Sequence, residues 1–400
     1  MRIAYLNPQA IPDTLPSTLQ ALQFSEALAA LGHTVDLVTP APRGQNTFAS
    51  ILGRPASPNL RAYPQADHRL RWYFPFSSNR LYHRQAIAWL KTHRVDTIYL
   101  RNLKLAEAIF KSGIKTPVFF ETHELFAQSF REHCGKLNFR NKRKLAALAT
   151  REDFVYRRAA GVIAITQALA DDIRSHYSID TPILVAPDGV DLELASRAST
   201  ETTATSGPPT VLYLGSLHRW KGVETLVSAT AELAEIAPGA PCAEVWIAGG
   251  SPERIAELRN QAAISAPGVQ IKLMGNIPPG ERFKLIAKAQ ICVLPLNNTS
   301  IGSRYTSPLK LFEYMAMGKA IVASDHPSIR EVLKHEENAL LVTPENPQAL
   351  AAAIKHLAAH PEIRTGLGMN AQFLAKRYSW QSRAESVAKW MTCAMESADA

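Results

Sequence analysis

Between Asn297 and Glu313 a polar loop, NNTSIGSRYTS, runs into PLKLFE, and its residue types suit the capture of an anion. Pro308 suits a first helical turn, and Ser307 before it suits the cap that accepts a free backbone N–H. A helix start of this kind points unpaired N–H groups at an anion, and a nucleotide diphosphate is the natural one. Glu313 lies about one and a half turns further on, where a carboxylate can accept both hydroxyls of a ribose. An ordinary strand–helix turn with a solvated glutamate has the same spacing. The assignment therefore leans on three further segments. GSLHRWKG (Gly215–Gly222) combines small residues, which let backbone approach a ligand, with the cations Arg219 and Lys221. A lysine there can neutralise a leaving diphosphate. AGGSPE (Ala248–Glu253) is a second glycine turn, and FFETHELF sets His123 between Glu121 and Glu124.

Each segment follows a short apolar run. Ile3–Leu6, Val35–Thr39, Thr97–Leu100, Val118–Glu121, Gly161–Thr166 and Ile183–Ala186 read as strands in the first half. Val211–Gly215, Glu244–Ala248, Val269–Met274, Ile291–Pro295, Ala320–Ser324 and Ala339–Val342 read as strands in the second. Stretches with helical spacing, such as Thr18–Leu31, stand between most of them. Strands apolar on both faces that alternate with helices predict parallel sheets covered by helices. The run SRASTETTATSGPP (196–209) has almost no large apolar side chain and reads as a linker. Two Rossmann-like α/β domains, 1–195 and 210–379, are expected to face a cleft, with ligands beyond the carboxyl ends of the strands.

Composition narrows the classes. The 400 residues are 46% hydrophobic and 20% charged, with no run of about 20 apolar residues of the kind that crosses a membrane. The opening MRIAYLNPQA reads as a strand rather than a leader, so the cytoplasm is the expected compartment. Four scattered cysteines argue against a disulfide framework or a zinc knuckle, and Cys242 and Cys292 read as core thiols. No Gly-x-Gly-x-x-Gly follows the first strand, and there is no P-loop, His-Glu-x-x-His or Gly-x-Ser-x-Gly. Nucleic-acid binding lacks any recognisable motif.

With ALAALGHTVDLVTP (27–40), AAGVIAITQALADDI (159–173), APDGVD (186–191), YLGSLHRWKG, VWIAGG and SPLKLFEYMAMGKAIVASD (307–325), these segments resemble the retaining glycosyltransferases of family 4, in the family's order. The resemblance implies the GT-B fold, two doubly wound parallel-sheet domains, with 380–400 crossing back onto the first. It implies a nucleotide-diphosphate sugar, UDP- or GDP-linked, as co-substrate, with no other cofactor and no required metal. It implies hexosyl transfer with retention to a glycan, lipid-linked or small-molecule hydroxyl, the departing phosphate taking the acceptor's proton. Glu313 matches the ribose-binding second glutamate of the family's E-x7-E motif, Lys221 the diphosphate lysine, and His123 a histidine near the donor sugar. Gly215, Ser216 and Gly249 fall in the donor turns, and backbone near Pro308, Leu309 and Lys310 would complete the diphosphate site. Asp188–Asp191 matches a turn before the linker.

Two positions depart from the pattern. Tyr305 stands where the first glutamate of the motif belongs, so Tyr305 or Ser303 would replace its sugar contact, or Arg304 would reach an anion. Ser216 stands where an arginine is common, and Arg219 is the candidate to supply that charge. These departures leave open a nucleotide-sugar-binding protein with impaired catalysis. A sugar-nucleotide epimerase on the same fold is a separate alternative, whose chemistry needs acid/base carboxylates or histidines that the sequence does not clearly provide.

The net charge of +9 resides in the first half, where residues 1–190 carry 24 Lys+Arg against 15 Asp+Glu. HRLRWYFPF (68–76) mixes cations with aromatics, and 131–158 holds nine Lys+Arg against three Asp+Glu. Such segments suit peripheral contact with an anionic membrane surface, while a soluble basic face explains the same composition.

Overall fold

The protein is described as a computed structural model covering residues 1–200, 207–233, 242–265 and 271–399. Residues 201–206 of the expected linker lie outside these, as do Val269 and Gln270 of one expected strand.

The chain divides into two compact units, 1–187 with 380–400, and 188–379. The first carries strands β1 (Arg2–Leu6), β2 (Thr34–Pro40), β3 (Leu60–Gln65), β4 (Thr97–Leu100), β5 (Val118–Thr122), β6 (Gly161–Ala164) and β7 (Ile183–Val185). Their order in the sheet is β3-β2-β1-β4-β5-β6-β7, and every pairing is parallel. The second carries β8 (Thr210–Leu214), β9 (Glu244–Ala248), β10 (Ile271–Met274), β11 (Ile291–Leu294), β12 (Ala320–Ser324) and β13 (Leu340–Val342), in the order β10-β9-β8-β11-β12-β13. Both sheets are doubly wound. Their order reverses between β1 and β4 and between β8 and β11, which are the places where such sheets bind ligands.

The sequence accounts for most of this. Strands such as β4, β5, β8 and β12 are buried at every residue, as sheets covered on both faces require. The helix Pro16–Ala30 starts on proline, where the missing N–H costs nothing, and ends before Gly32 at φ +91°. Cys242 and Cys292 are buried, and burial pushes the Cys292 thiol up to about 12.

Two expectations change. β3 was not anticipated: it is an edge strand with Pro64 and outward-facing side chains, so it lacks an apolar run. The first boundary moves from 195 to 187, because residues 192–200 form a helix belonging to the second unit. Its small residues Ala195 and Ala198 are buried in that unit's core, with Leu192 and Leu194 packed alongside.

Candidate functional site

In the second unit the loops after β8, β9 and β11 converge on one group of cations. Gly215 leaves β8 at φ +142°, and its N–H donates to Ala248 O at 2.9 Å. Gly249 packs so closely that a side-chain carbon there would lie 2.0 Å from Gly215 O. Tyr213 then donates its hydroxyl to Ser216 O at 2.6 Å, fixing the turn. Arg219–Lys221 form one 3-10 turn that closes on Gly222 at φ +67°, where an added carbon would strike Pro295 O. Only glycine fits there.

Two lysines enter this turn. Lys221 lies 3.7 Å from the centre of the Trp220 ring. Burial pushes its amine down to about 7, against the pull of Asp188. Lys310, on the helix Leu309–Ala316, is 5% exposed, and its Nζ lies 3.5 Å from the centre of the Tyr213 ring. That Nζ would also be 3.5 Å from a side-chain carbon on Gly215, and it has no hydrogen-bond partner among the described residues. Burial, then Lys221 and Arg282, push it well below the ordinary lysine value, against Glu313 and Cys292. An unpartnered buried amine beside a second amine is costly unless an anion joins them.

Glu313 sits on the same helix, 8% exposed, and accepts from Arg282 at 2.7 Å. Burial raises its carboxyl, while Arg282 and Lys310 lower it. Ser307 does not cap the helix: the capping residue is Pro308, without a side-chain bond, and Ser307 Oγ accepts the Asp188 N–H at 2.8 Å. Asp191 Oδ1 accepts from the N–H groups of Glu193 and Leu194, so it caps the helix that follows. Tyr305 is 1% exposed and Ser303 is also buried, whereas the Arg219 side chain is exposed. The structure thus brings Gly215, Ser216, Lys221, Lys310 and Glu313 together. Sequence reasoning missed Arg282 and the side chain of Lys310. Position 310, two residues past the expected helix start at Pro308, was the available signal for the latter.

The first unit holds His123 in a separate network. Its Nε2 lies 2.5 Å from Glu121 Oε1 and 3.3 Å from Gln20 Nε2. Glu121, 1% exposed, also accepts from Gln20 (3.0 Å), from the Tyr99 hydroxyl and from Arg383 (3.0 Å), a residue of the helix Trp380–Asp399. Burial alone would raise this carboxyl, but Arg383 foremost, then His123 and Arg101, hold it well below the usual carboxylate range. Arg383 Nε also donates to Pro187 O at 2.9 Å. With the carboxylate so held, the His123 ring is fixed in place and keeps about a third of its side-chain surface open.

Also in this unit, a pocket of about 560 Å³ opens at the carboxyl ends of β1, β2 and β3, with Gln9, Asp13, Arg43, Asn46 and Arg69 among its lining residues. Asp67, paired with Arg43 and Arg69, lies at its wall, and Arg69 foremost lowers the carboxyl.

Comparison with known proteins adds two family matches. Residues 208–360 match "Glycosyl transferases group 1", and residues 19–194 match "Glycosyltransferase Family 4". D-inositol 3-phosphate glycosyltransferase of Corynebacterium urealyticum is 28% identical over 242 residues, 56% of this chain and 55% of that protein. Alpha-D-kanosaminyltransferase of Streptomyces kanamyceticus is 26% identical over 59% of this chain and 61% of its own. The matched region thus spans little more than half the length of these curated relatives. Among solved structures, sucrose-phosphate synthase of Thermosynechococcus elongatus superposes with a TM-score of 0.77 at 20% identity, over 99% of this chain and 100% of its own. Anabaena HepE in complex with UDP-glucose gives 0.71 at 19%, over 98% and 100%. These likenesses show the fold.

Proposed function

Because the chain belongs to the group 1, family 4 glycosyltransferases, of GT-B fold, we propose that it transfers a hexose-type sugar, with retention, from a nucleotide-diphosphate donor to a hydroxyl acceptor. The observation that carries this reading is the buried, unpartnered Lys310 amine beside Lys221 at the glycine turn, with Glu313 on the same helix. Two amines placed against backbone that tolerates no side chain suit a diphosphate, and the carboxylate suits the ribose hydroxyls.

In this reading the bond between the sugar's anomeric carbon and the diphosphate breaks, and a bond to the acceptor oxygen forms. The acceptor's proton passes to the departing phosphate. Lys221 and Lys310 take the charge that grows on the leaving group, in place of a required metal ion. Lys310 thereby fills the role first sought for Arg219, whose side chain points to solvent. His123 is the proposed sugar contact, its ring held by Glu121. UDP is the favoured nucleotide and GDP the next, since a neighbour of the same fold binds UDP-glucose. The acceptor is a glycan, a lipid-linked hydroxyl or a small molecule, and the cytoplasm is the proposed compartment.

A thermal-shift series over UDP-, GDP- and ADP-sugars tests the donor half. One of them should raise the melting temperature, and Glu313→Gln should remove most of that rise. An undiminished rise in the variant refutes the ribose assignment.

A further inference from the structure

The segment 67–77 is built to hold apolar side chains in solvent. Leu70 N–H donates to Phe76 O at 3.3 Å, and Arg71 and Phe74 exchange N–H···O bonds of 3.2 and 2.9 Å, so the segment closes on itself as a short hairpin. Its base is fixed. Arg69 donates to Asp67, to Pro8 O at 3.0 Å and to Asn79 Oδ1 at 3.3 Å, while Arg43 pairs with Asp67 at 2.9 Å. Of the tip's large apolar side chains Phe74 is half-buried, and the others stand in solvent. Trp72 is 92% exposed, Phe76 66%, Leu70 65% and Tyr73 53%. Four large apolar groups within seven residues form a patch of the kind that marks an interaction surface.

Charge decides which surface. Between Arg61 and Arg94 the chain carries seven Lys+Arg and a single acid, Asp67, which is already spent on Arg43 and Arg69. A second copy of this chain would set one arginine rim against another. An anionic bilayer gives the aromatics an interfacial layer and the arginines opposite charge. Leu70 is shared: it belongs to the exposed tip and also lines the adjoining pocket, whose polar walls carry Gln9, Asp13 and Asn46.

We propose that the hairpin 68–76 docks this protein on an anionic membrane surface, so that the adjoining pocket receives the polar head of a lipid-carried acceptor. The docking stands independently of the donor chemistry, while the delivery of an acceptor rests on the transferase reading given above.

The test is co-sedimentation of the full chain with vesicles of phosphatidylcholine alone, or mixed with phosphatidylglycerol, at low and high salt. Wild type should pellet with the mixed vesicles at low salt, and Trp72→Ser/Phe76→Ser should weaken this by about tenfold or more. The variant's circular dichroism and melting curve should match wild type, which excludes misfolding without recourse to any donor. Neither residue belongs to the group of Gly215, Lys221, Lys310 and Glu313 proposed to hold the donor, so any donor-induced thermal shift should also be retained. Absence of wild-type binding at low salt overturns the proposal, as does full binding by the variant. A wild-type dimer that the double substitution makes monomeric also overturns it, because the hairpin's partner would then be a second copy. If docking holds and no nucleotide sugar binds, the membrane surface stands and the transferase reading falls.

Discussion

Raising the pH should weaken donor binding in a way that reports directly on the two lysines. The Lys221 amine has been pushed down to about 7, so at pH 8 only about a tenth of the empty protein carries that charge. A diphosphate favours the charged form, so a proton must be taken up as the donor enters. Above pH 7 this costs about 1.4 kcal/mol per pH unit, and the dissociation constant rises about tenfold per unit until the pKa of the complex is reached. Lys310, held down by burial and by Lys221 and Arg282, adds up to a second proton. The unliganded fold should show the opposite trend. An amine neutralised by burial opposes folding most fully below about pH 7. Stability therefore rises as pH climbs from there towards the ordinary value of 10.5.

Calorimetry with UDP-glucose from about pH 6.5 to 8.5, in buffers of different ionisation enthalpy, reads the proton count directly, since the donor's diphosphate diester does not titrate in that range. The expectation is between one and two protons taken up per donor at the alkaline end, falling by up to one in Lys310→Met. Intact binding with no proton uptake and a flat dissociation constant would refute the reasoning about both amines.

Other substitutions follow from the same geometry. Arg383→Met leaves Glu121 buried without its main counter-charge, which should cost about 3–5 kcal/mol in chemical denaturation, and Arg383→Lys should recover part of it. Gly249→Ala places a carbon 2.0 Å from Gly215 O and strains a φ of +120°, so the melting temperature should fall and donor affinity drop more than tenfold by titration.

Much of the architecture was legible because buried parallel strands announce themselves. β4, β9 and β12 fall on the residues expected from composition alone, with apolar runs too short for helices. β3 was hidden because an edge strand with Pro64 has no such run. The helix 192–200 was hidden because alanine, serine and threonine look like linker until Ala195 and Ala198 are seen in the core. Glu313 and Lys221 could be picked out because strand ends and helix starts are local signals. Arg282 reaching Glu313, Ser307 receiving Asp188 and Arg383 reaching Glu121 could not, since the partners lie 31, 119 and 262 residues apart. Nothing local encodes such pairs.

The tie between Arg383 and Pro187 has a consequence for dissecting the molecule. The stretch 188–379 is continuous, whereas the other unit is assembled from both ends of the chain, with Arg383 on Pro187 and Trp390 packed where a carbon on Gly161 would lie 2.3 Å away. Residues 1–187 alone would thus expose the bed of the Trp390 ring and leave Glu121 short of its cation. In engineering terms 188–379 is a cassette inserted into a host, and the Arg383–Pro187 hydrogen bond marks where the host's ends meet. A few residues bridging 187 to 380 should close the host into an autonomous fold and release the cassette as a separate, transplantable module.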